Sequence, residues 1–355
     1  MLLKKMASPV SLQINMNKLS LIHWHIEPSS ICTLKCPRCP RIEVPESLLN
    51  RQLSLDFFQS QIGEEVIKEM RKITFCGNDG DPIYCNDLVS IISWIKSINS
   101  TINIVLITNG SHKKEDWWIS LASVMNEYDE IHWSVDGWDQ VSNNKYRVNS
   151  NWDSIVLGIN TFNTYNKNKT FKVWASIAFK FNEDKIQVLN ELASENNFDC
   201  FQLTLSTKFG SKYPETYTDS DELEPSSKFI PTGHRFERKN TLLSNKKRYS
   251  DEIKDMYKQI SNRLTDRRLC FIGNKGVFLN SHGEFYPCCW VANRYEHNKV
   301  WTELGKSRFN LHNRTFTEII KDEYWENEFL KFDNLECKTK CNVETLKVKN
   351  YLLEW

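Results

Sequence analysis

The sequence predicts an α/β fold: a partial (βα)6 barrel followed by a small C-terminal α+β domain. Three observations predict it. Strand-like and helix-like runs alternate about six times between residues 20 and 206, and such alternation makes parallel strands joined by right-handed crossovers. Six units are too few to close an eight-stranded TIM-like barrel, so an open three-quarter barrel is expected. Beyond a polar, Pro-marked stretch comes a hairpin pattern with a second group of cysteines. A chain of 355 residues has room for about two domains. The expected boundaries are an N-terminal arm at 1–19, the barrel at 20–206, a connecting region at 207–265 and the second domain at 266–355.

Ile22, Trp24 and Ile26 alternate with His23 and His25, which reads as a first strand. The two histidines read as one side of that strand. Ser54 can cap a helix carrying Phe57, Phe58, Ile62, Val66, Ile67 and Met70. A short strand, 73–76, follows and ends in a Gly-rich turn. A helix around Leu88, Ile91, Ile92 and Ile95 leads into a strand at 102–107, which ends in Thr108-Asn109-Gly110. A helix with Trp117, Trp118, Leu121 and Met125 precedes a strand at 130–135, which ends in Asp136-Gly137. A helix near 152–162 precedes a strand at 172–178, and a helix at 184–197 precedes one at 201–205. Several turns thus fall at strand C-termini, where parallel α/β sheets bind ligands.

Residues 207–269 differ in character. Pro214, Pro225 and Pro231 lie among Ser, Thr and Asp clusters, which marks an irregular connection. Its basic run 235–238, with Lys246, Lys247 and Arg248, is balanced by Asp219, Asp221, Glu222 and Glu224. A solvated connection is expected rather than a nucleic-acid patch. Next, Gly276-Val277-Phe278-Leu279, a turn at 280–283 and Glu284-Phe285-Tyr286 read as a β-hairpin, with Gly283 at the permissive turn position. A helix near 315–332 carries Phe316, Ile319, Ile320, Trp325 and Phe329.

Bulk properties exclude several classes. The formal net charge is +1, so no global field recruits nucleic acid or an anionic membrane. No apolar run approaches the ~20 residues a membrane span requires. The start lacks the apolar core of a secretory signal. Eleven cysteines without such a signal, and odd in number, point to metal binding in a reducing cytoplasm rather than to disulfides.

The chemistry concentrates in Cys32-Thr33-Leu34-Lys35-Cys36-Pro37-Arg38-Cys39, which places three thiols at offsets of four and three. Thiolates ligate iron–sulfur clusters and closed zinc sites. Zinc sites favour Cys-x2-Cys pairs from two separate loops. Three thiolates leave one iron of a four-iron cube open to a small molecule. A zinc knuckle remains the alternative reading of the spacing alone, and a non-enzymatic zinc module contacting nucleic acid the alternative function.

Cys-x3-Cys-x2-Cys on a loop after a first strand resembles the radical S-adenosylmethionine (SAM) superfamily. The resemblance implies that Cys32, Cys36 and Cys39 hold a [4Fe–4S] cluster whose open iron chelates SAM. It also implies reductive cleavage of SAM to a 5′-deoxyadenosyl radical. The residue before the third cysteine, often aromatic in that family, is Arg38. In the turn Gly77-Asn78-Asp79-Gly80-Asp81-Pro82, the segment Gly80, Asp81, Pro82 looks like the family's Gly-Glu-Pro, which contacts the SAM amine. Ser134 and Asp136 resemble the family's polar end of the fourth strand, near the SAM ribose, Ser176 lies on the fifth strand, where adenosine contacts are expected, and Asn109, in the turn after the third strand, is a further expected cofactor-binding residue. Cys270, Cys288, Cys337 and Cys341, with Cys289 as a competitor for Cys288, resemble the twitch domain, a shortened SPASM relative, and imply one auxiliary [4Fe–4S] cluster. Zinc is the other reading of that second set. Cys76, Cys85 and Cys200 read as small buried apolar residues.

Family enzymes of this layout modify peptides or oxidise small polar molecules. The expectation is therefore a cytoplasmic oxidoreductase or peptide modifier, supplied with electrons by a flavodoxin or ferredoxin and acting on a peptide or protein. The alternative is a dehydrogenase or epimerase of a small polar metabolite such as an aminosugar or nucleotide.

Overall fold

A computed structural model describes residues 23–45, 48–205, 223–228, 234–237, 272, 276–293 and 298–329. Six strands alternate with helices as expected: β1 (His23–Ile26), β2 (Lys72–Phe75), β3 (Asn103–Thr108), β4 (Glu130–Ser134), β5 (Phe171–Ala178) and β6 (Cys200–Leu205). All neighbouring pairs in this run are parallel. The crossover helices are α1 (Gly63–Glu69), α2 (Leu88–Ile98), α3 (Glu115–Val124), α4 (Trp152–Tyr165) and α5 (Ile186–Glu195). The sheet is open, and the fold is the partial α/β barrel that the alternation predicted.

Three strands extend the sheet. β7 (His234–Glu237) pairs antiparallel with β6, from within the stretch expected to be an irregular connection. At the opposite edge the expected hairpin, β8 (Val277–Leu279) and β9 (Phe285–Tyr286), joins the barrel directly, because β8 pairs parallel with β1. The full order is β7-β6-β5-β4-β3-β2-β1-β8-β9. Gly283 turns the hairpin at φ +75°, as its position required.

The two faces of the sheet differ. Trp24, Ile26, Ile73, Phe75, Ile104, Leu106, Ile131 and Trp133 are buried in one core with Leu88, Ile91, Ile92 and Ile95 of α2 and Trp118 and Leu121 of α3. Trp118 and Trp133 stack at 5.7 Å. Strand residues of opposite parity, among them His23, His25, Lys72, Thr74, Glu130, His132 and Ser134, belong to the other face. That face carries its own small apolar cluster of Phe171, Val173 and Cys200. Parallel strands covered on both faces are usually apolar throughout, so this alternation marks one face as polar by design. On it, His23 Nε2 meets Thr74 Oγ1 at 2.9 Å, and His132 Nε2 meets Glu130 Oε2 at 3.0 Å. His23 and His25 stand side by side on the strand, as read from the sequence, with ring centroids 4.3 Å apart.

Two helices are broken where the sequence suggested continuity. Ser54 does cap the first, accepting from the Phe57 N–H at 3.1 Å, but that helix widens over Phe58–Ile62 and is interrupted at Gly63, φ +77°. The C-terminal helix divides into α7 (Phe316–Ile320) and α8 (Tyr324–Asn327). Between them Asp322 accepts the Tyr324 N–H at 2.9 Å and pairs with Arg308 and Arg314, each at 2.6 Å. Such local side-chain bonding competes with helix continuation. All five apolar residues expected on this helix are nevertheless buried. The helix α6 (Lys299–Ser307), which buries Trp301, was not anticipated. No helix among the described residues is long and apolar enough to cross a membrane.

One buried ion pair braces the barrel. Lys96 of α2 donates to Asp129 Oδ1 at 2.6 Å, just before β4, and Asp129 also accepts from the N–H groups of Ile104 and Asn126. Burial pushes the Asp129 carboxyl up to about 6 even with the Lys96 ammonium opposing it. Replacing Asp129 by Ala strands a cation and two amides in the interior. The expected loss is about 3–5 kcal/mol, measured by denaturant unfolding.

Candidate active site

Because β1 to β4 run parallel, the loops that leave them emerge on one rim. The cysteine loop leaves β1, the Gly-rich turn leaves β2, Thr108-Asn109-Gly110 closes β3, and Asp136-Gly137 follows β4. Hydrogen bonds tie these four segments into one network.

Glu27 follows β1 directly and is buried. Its Oε1 accepts the N–H groups of Asp79 at 2.6 Å and Gly80 at 2.9 Å, so the end of β1 holds the Gly-rich turn. The two glycines of that turn are required by proximity, not by backbone angle, since neither takes a positive φ. A Cβ on Gly80 would lie 2.0 Å from the Ser29 carbonyl oxygen, and one on Gly77 would lie 2.3 Å from that of Gly80. The Asp81 N–H donates to the Ile31 carbonyl at 3.0 Å.

Asp81 ties the turn to β3. Its Oδ1 accepts from Thr108 Oγ1 at 2.8 Å and from the Ile83 N–H at 3.1 Å. Its Oδ2 accepts from the Asn109 N–H at 2.7 Å and from Asn109 Nδ2 at 2.6 Å. Burial moves this carboxyl upward, and the four donors oppose the shift. The structure thus gives Asp81 a bracing task, with both oxygens occupied by the protein. Pro82 is buried as the first residue of a helical turn that carries Tyr84. Asn109 Nδ2 also reaches Cys32 Sγ at 3.7 Å, so three sequence-predicted residues, Asp81, Asn109 and Cys32, meet in one cluster.

The second half of the rim forms around Asp136, which is fully buried. Its Oδ2 accepts from Arg147 Nε at 2.5 Å and its Oδ1 from the Ile177 N–H at 2.6 Å. Its main chain is held by Asn143 and Asn182. Ser176 donates to the Val135 carbonyl, which fixes β5 against the end of β4. Ser134 is half-buried on the polar face of the sheet.

The cysteine loop is fastened to both halves. Thr33 Oγ1 and Tyr84 OH are 2.6 Å apart. The Lys35 N–H donates to the Val148 carbonyl at 2.9 Å, and Asn149 Nδ2 donates to that of Thr33 at 2.8 Å. Arg41 donates to the carbonyl of Ser30 at 2.5 Å. Arg38 sits at φ +64°, a left-handed conformation uncommon outside glycine. Cys32, Cys36 and Cys39 share one apolar cluster with Leu34, Tyr146 and Phe179. Burial pushes the Cys32 thiol up to about 12, reinforced by the Asp81 carboxylate. Burial also pushes Cys36 up to about 11, against the lowering influence of Arg147. A metal bound by Cys32 and Cys36 would therefore displace their protons.

Among the described residues no three His, Cys, Asp or Glu side chains converge on a single ion. A four-iron cube makes a different demand, because each thiolate holds its own iron corner. Three neighbouring thiols in an apolar setting, next to a guanidinium that offsets thiolate charge, fit that donor set.

Cys288, expected as an auxiliary ligand, and its competitor Cys289 are half-buried against the main core. Cys270, Cys337 and Cys341 lie outside the described residues. Ala292, just beyond the pair, accepts a hydrogen bond from Asn78 of the Gly-rich turn, so this C-terminal segment touches the rim. Cys85 and Cys200 are fully buried, as read from the sequence. Cys76 is only half-buried, with its sulfur 3.9 Å from His25 Nδ1. Sequence reading missed Glu27, Tyr84 and Arg147. A charged residue immediately after a strand was the available signal for Glu27; nothing local marked the other two.

No protein-family model matches the chain, and no curated protein matches it. Solved structures do. SuiB of Streptococcus suis bound to its precursor peptide SuiA superposes with a TM-score of 0.56 at 15% identity, covering 98% of this chain and 77% of that one. The enzyme anSMEcpe with bound AdoMet gives 0.56 at 16%, covering 94% and 84%. SuiB bound to S-adenosylmethionine gives 0.50 at 15%, covering 83% and 68%. At this identity the likeness establishes a shared fold.

Glu27→Ala removes the acceptor that two rim amides share. Hydrogen bonds to a charged group contribute about 1.5–3 kcal/mol. Hydrogen exchange at the Asp79 and Gly80 amides should accelerate roughly ten- to a hundredfold, with exchange in α2 unchanged.

Proposed function

We propose that this chain is a radical SAM enzyme that modifies a peptide or protein. The observation that carries the reading is the rim itself: three clustered thiols, braced by Thr33–Tyr84 and by the 147–149 segment, beside a Gly-rich turn held by Glu27. The fold shared with SuiB and anSMEcpe supports it, and the precursor peptide in one SuiB structure favours a peptide over a small metabolite.

Cys32, Cys36 and Cys39 would hold a [4Fe–4S] cluster by three of its irons. In the family that the motif resembles, the cluster and SAM when bound supply a one-electron cleavage of the sulfonium, giving a 5′-deoxyadenosyl radical that takes a hydrogen atom from substrate. The chain's residues do the remaining work. Gly80 and Pro82 shape a close-packed turn beside the thiols, and Asp81 and Asn109 lock it to β3. Ser134, Asp136 and Ser176 form the far rim, on the ribose and adenosine side. The polar sheet face, where His132 and Ser134 are half-buried beside the buried His25 and Glu130, is the side of the sheet on which a substrate would rest.

Cys270, Cys288, Cys337 and Cys341, with Cys289 as the competitor, would hold one auxiliary [4Fe–4S] cluster in a C-terminal twitch-like domain. A flavodoxin- or ferredoxin-type donor in the cytoplasm would supply the electron.

Anaerobic reconstitution with iron and sulfide tests the reading. The expected product is brown, with ~8 Fe per chain for two four-iron clusters, and releases 5′-deoxyadenosine from SAM on reduction with dithionite. Joint replacement of Cys32, Cys36 and Cys39 by Ala should abolish that release and remove about half of the iron. A colourless protein with ~2 Zn per chain and no SAM cleavage overturns the reading.

A further inference from the structure

Arg147 joins the two halves of the rim. Its Nε donates to the fully buried Asp136 at 2.5 Å. Its Cζ lies 5.2 Å from the centroid of the Tyr146 ring, Tyr146 packs in one apolar cluster with Cys36, and the guanidinium's charge draws the Cys36 thiol down against burial. The residues that follow fasten the same loop through Lys35 N–Val148 O and Asn149 Nδ2–Thr33 O. The cation is therefore held beside the Cys36 part of the thiol loop by several independent contacts. Cys36 packs with Leu34, Tyr146 and Phe179, so little water screens the interaction.

A sulfur bound to iron keeps lone pairs and gains negative charge when the cluster takes an electron. A cation beside that sulfur stabilises the reduced state more than the oxidised one. The planar guanidinium serves two partners at once, which an ammonium does less well. Asp136 opposes the effect by cancelling part of the charge. Resting on the reading that Cys36 ligates a four-iron cluster, we propose that Arg147 is a positioning residue that raises the cluster's reduction potential, with Asp136 setting how much of its charge the cluster feels.

The test uses the full chain, reconstituted anaerobically as wild type, R147Q, R147K and D136N. Iron content is measured first. Each protein is then equilibrated at a series of solution potentials set by dithionite and mediators. Reduction is followed through the EPR signal that changes on adding SAM, which singles out the cluster with an open iron. R147Q should lower the ratio of reduced to oxidised cluster about tenfold at fixed potential, equal to about 59 mV for a one-electron couple. R147K should restore most of that loss. D136N should move the potential in the opposite direction. A role confined to holding the loop would change iron content and leave these potentials alike.

Equal potentials in wild type and R147Q at full iron loading overturn the proposal. Where R147Q fails to take up iron, D136N decides, and a wild-type potential in it overturns the proposal. A wild-type protein that binds no iron defeats the underlying functional reading, and this shows before any variant is compared.

Discussion

The structure depends on one directional constraint: β1 to β6 run parallel, so every loop that follows a strand opens onto the same rim. A thiol-rich loop after β1 can therefore be braced by turns that are 50 to 110 residues away in sequence. Asp81, Asn109, Asp136 and Arg147 come from three different crossover units and meet the cysteine loop without any long connection. Asp81, Asn109 and Asp136 are buried and bonded within the rim, as with the four donors on Asp81. Buried networks of this kind add rigidity only when complete.

The rim stands on a sheet with unlike faces. The helix-covered face carries tryptophans and branched aliphatics, and the other keeps histidines and a glutamate. His132 and Glu130 meet at 3.0 Å on a face that leaves them 13% and 6% exposed, a pairing that offsets the cost of burying polar groups. The same alternation provides an apolar core on one side and a polar layer on the other. The cysteine loop closes one end of that surface, and the segment around Ala292 reaches the rim from the β8–β9 hairpin.

Much of this was legible in the chain. The strand–helix alternation was readable because buried residues such as Ile73 and Phe75 recur at a strand period while Ile91, Ile92 and Ile95 recur at a helical one. The cysteine triad and Gly283 announced themselves by spacing and by turn chemistry. What stayed hidden was non-local. Arg147 reads as one basic residue in a polar loop, and only the fold brings it to Cys36. Glu27 lies next to a strand whose loop drew attention elsewhere. Gly80 was readable as a necessary glycine, but the reason, the Ser29 carbonyl at 2.0 Å from a Cβ, belongs to tertiary packing. The division of the last helix rests on Asp322 meeting two arginines, which period and propensity do not register.

The pairing of β8 with β1 also bears on how the molecule is made. Ile26 and Leu279 are partners across roughly 250 residues of chain, so the outer edge of the first strand must wait for a segment that leaves the ribosome late. Until then its amides and carbonyls are an unpaired template, the kind of edge that invites wrong partners. The β8–β9 hairpin thus serves as the barrel's own chaperone-like cover, and a chain cut short before it would emerge with its thiol loop beside an open seam.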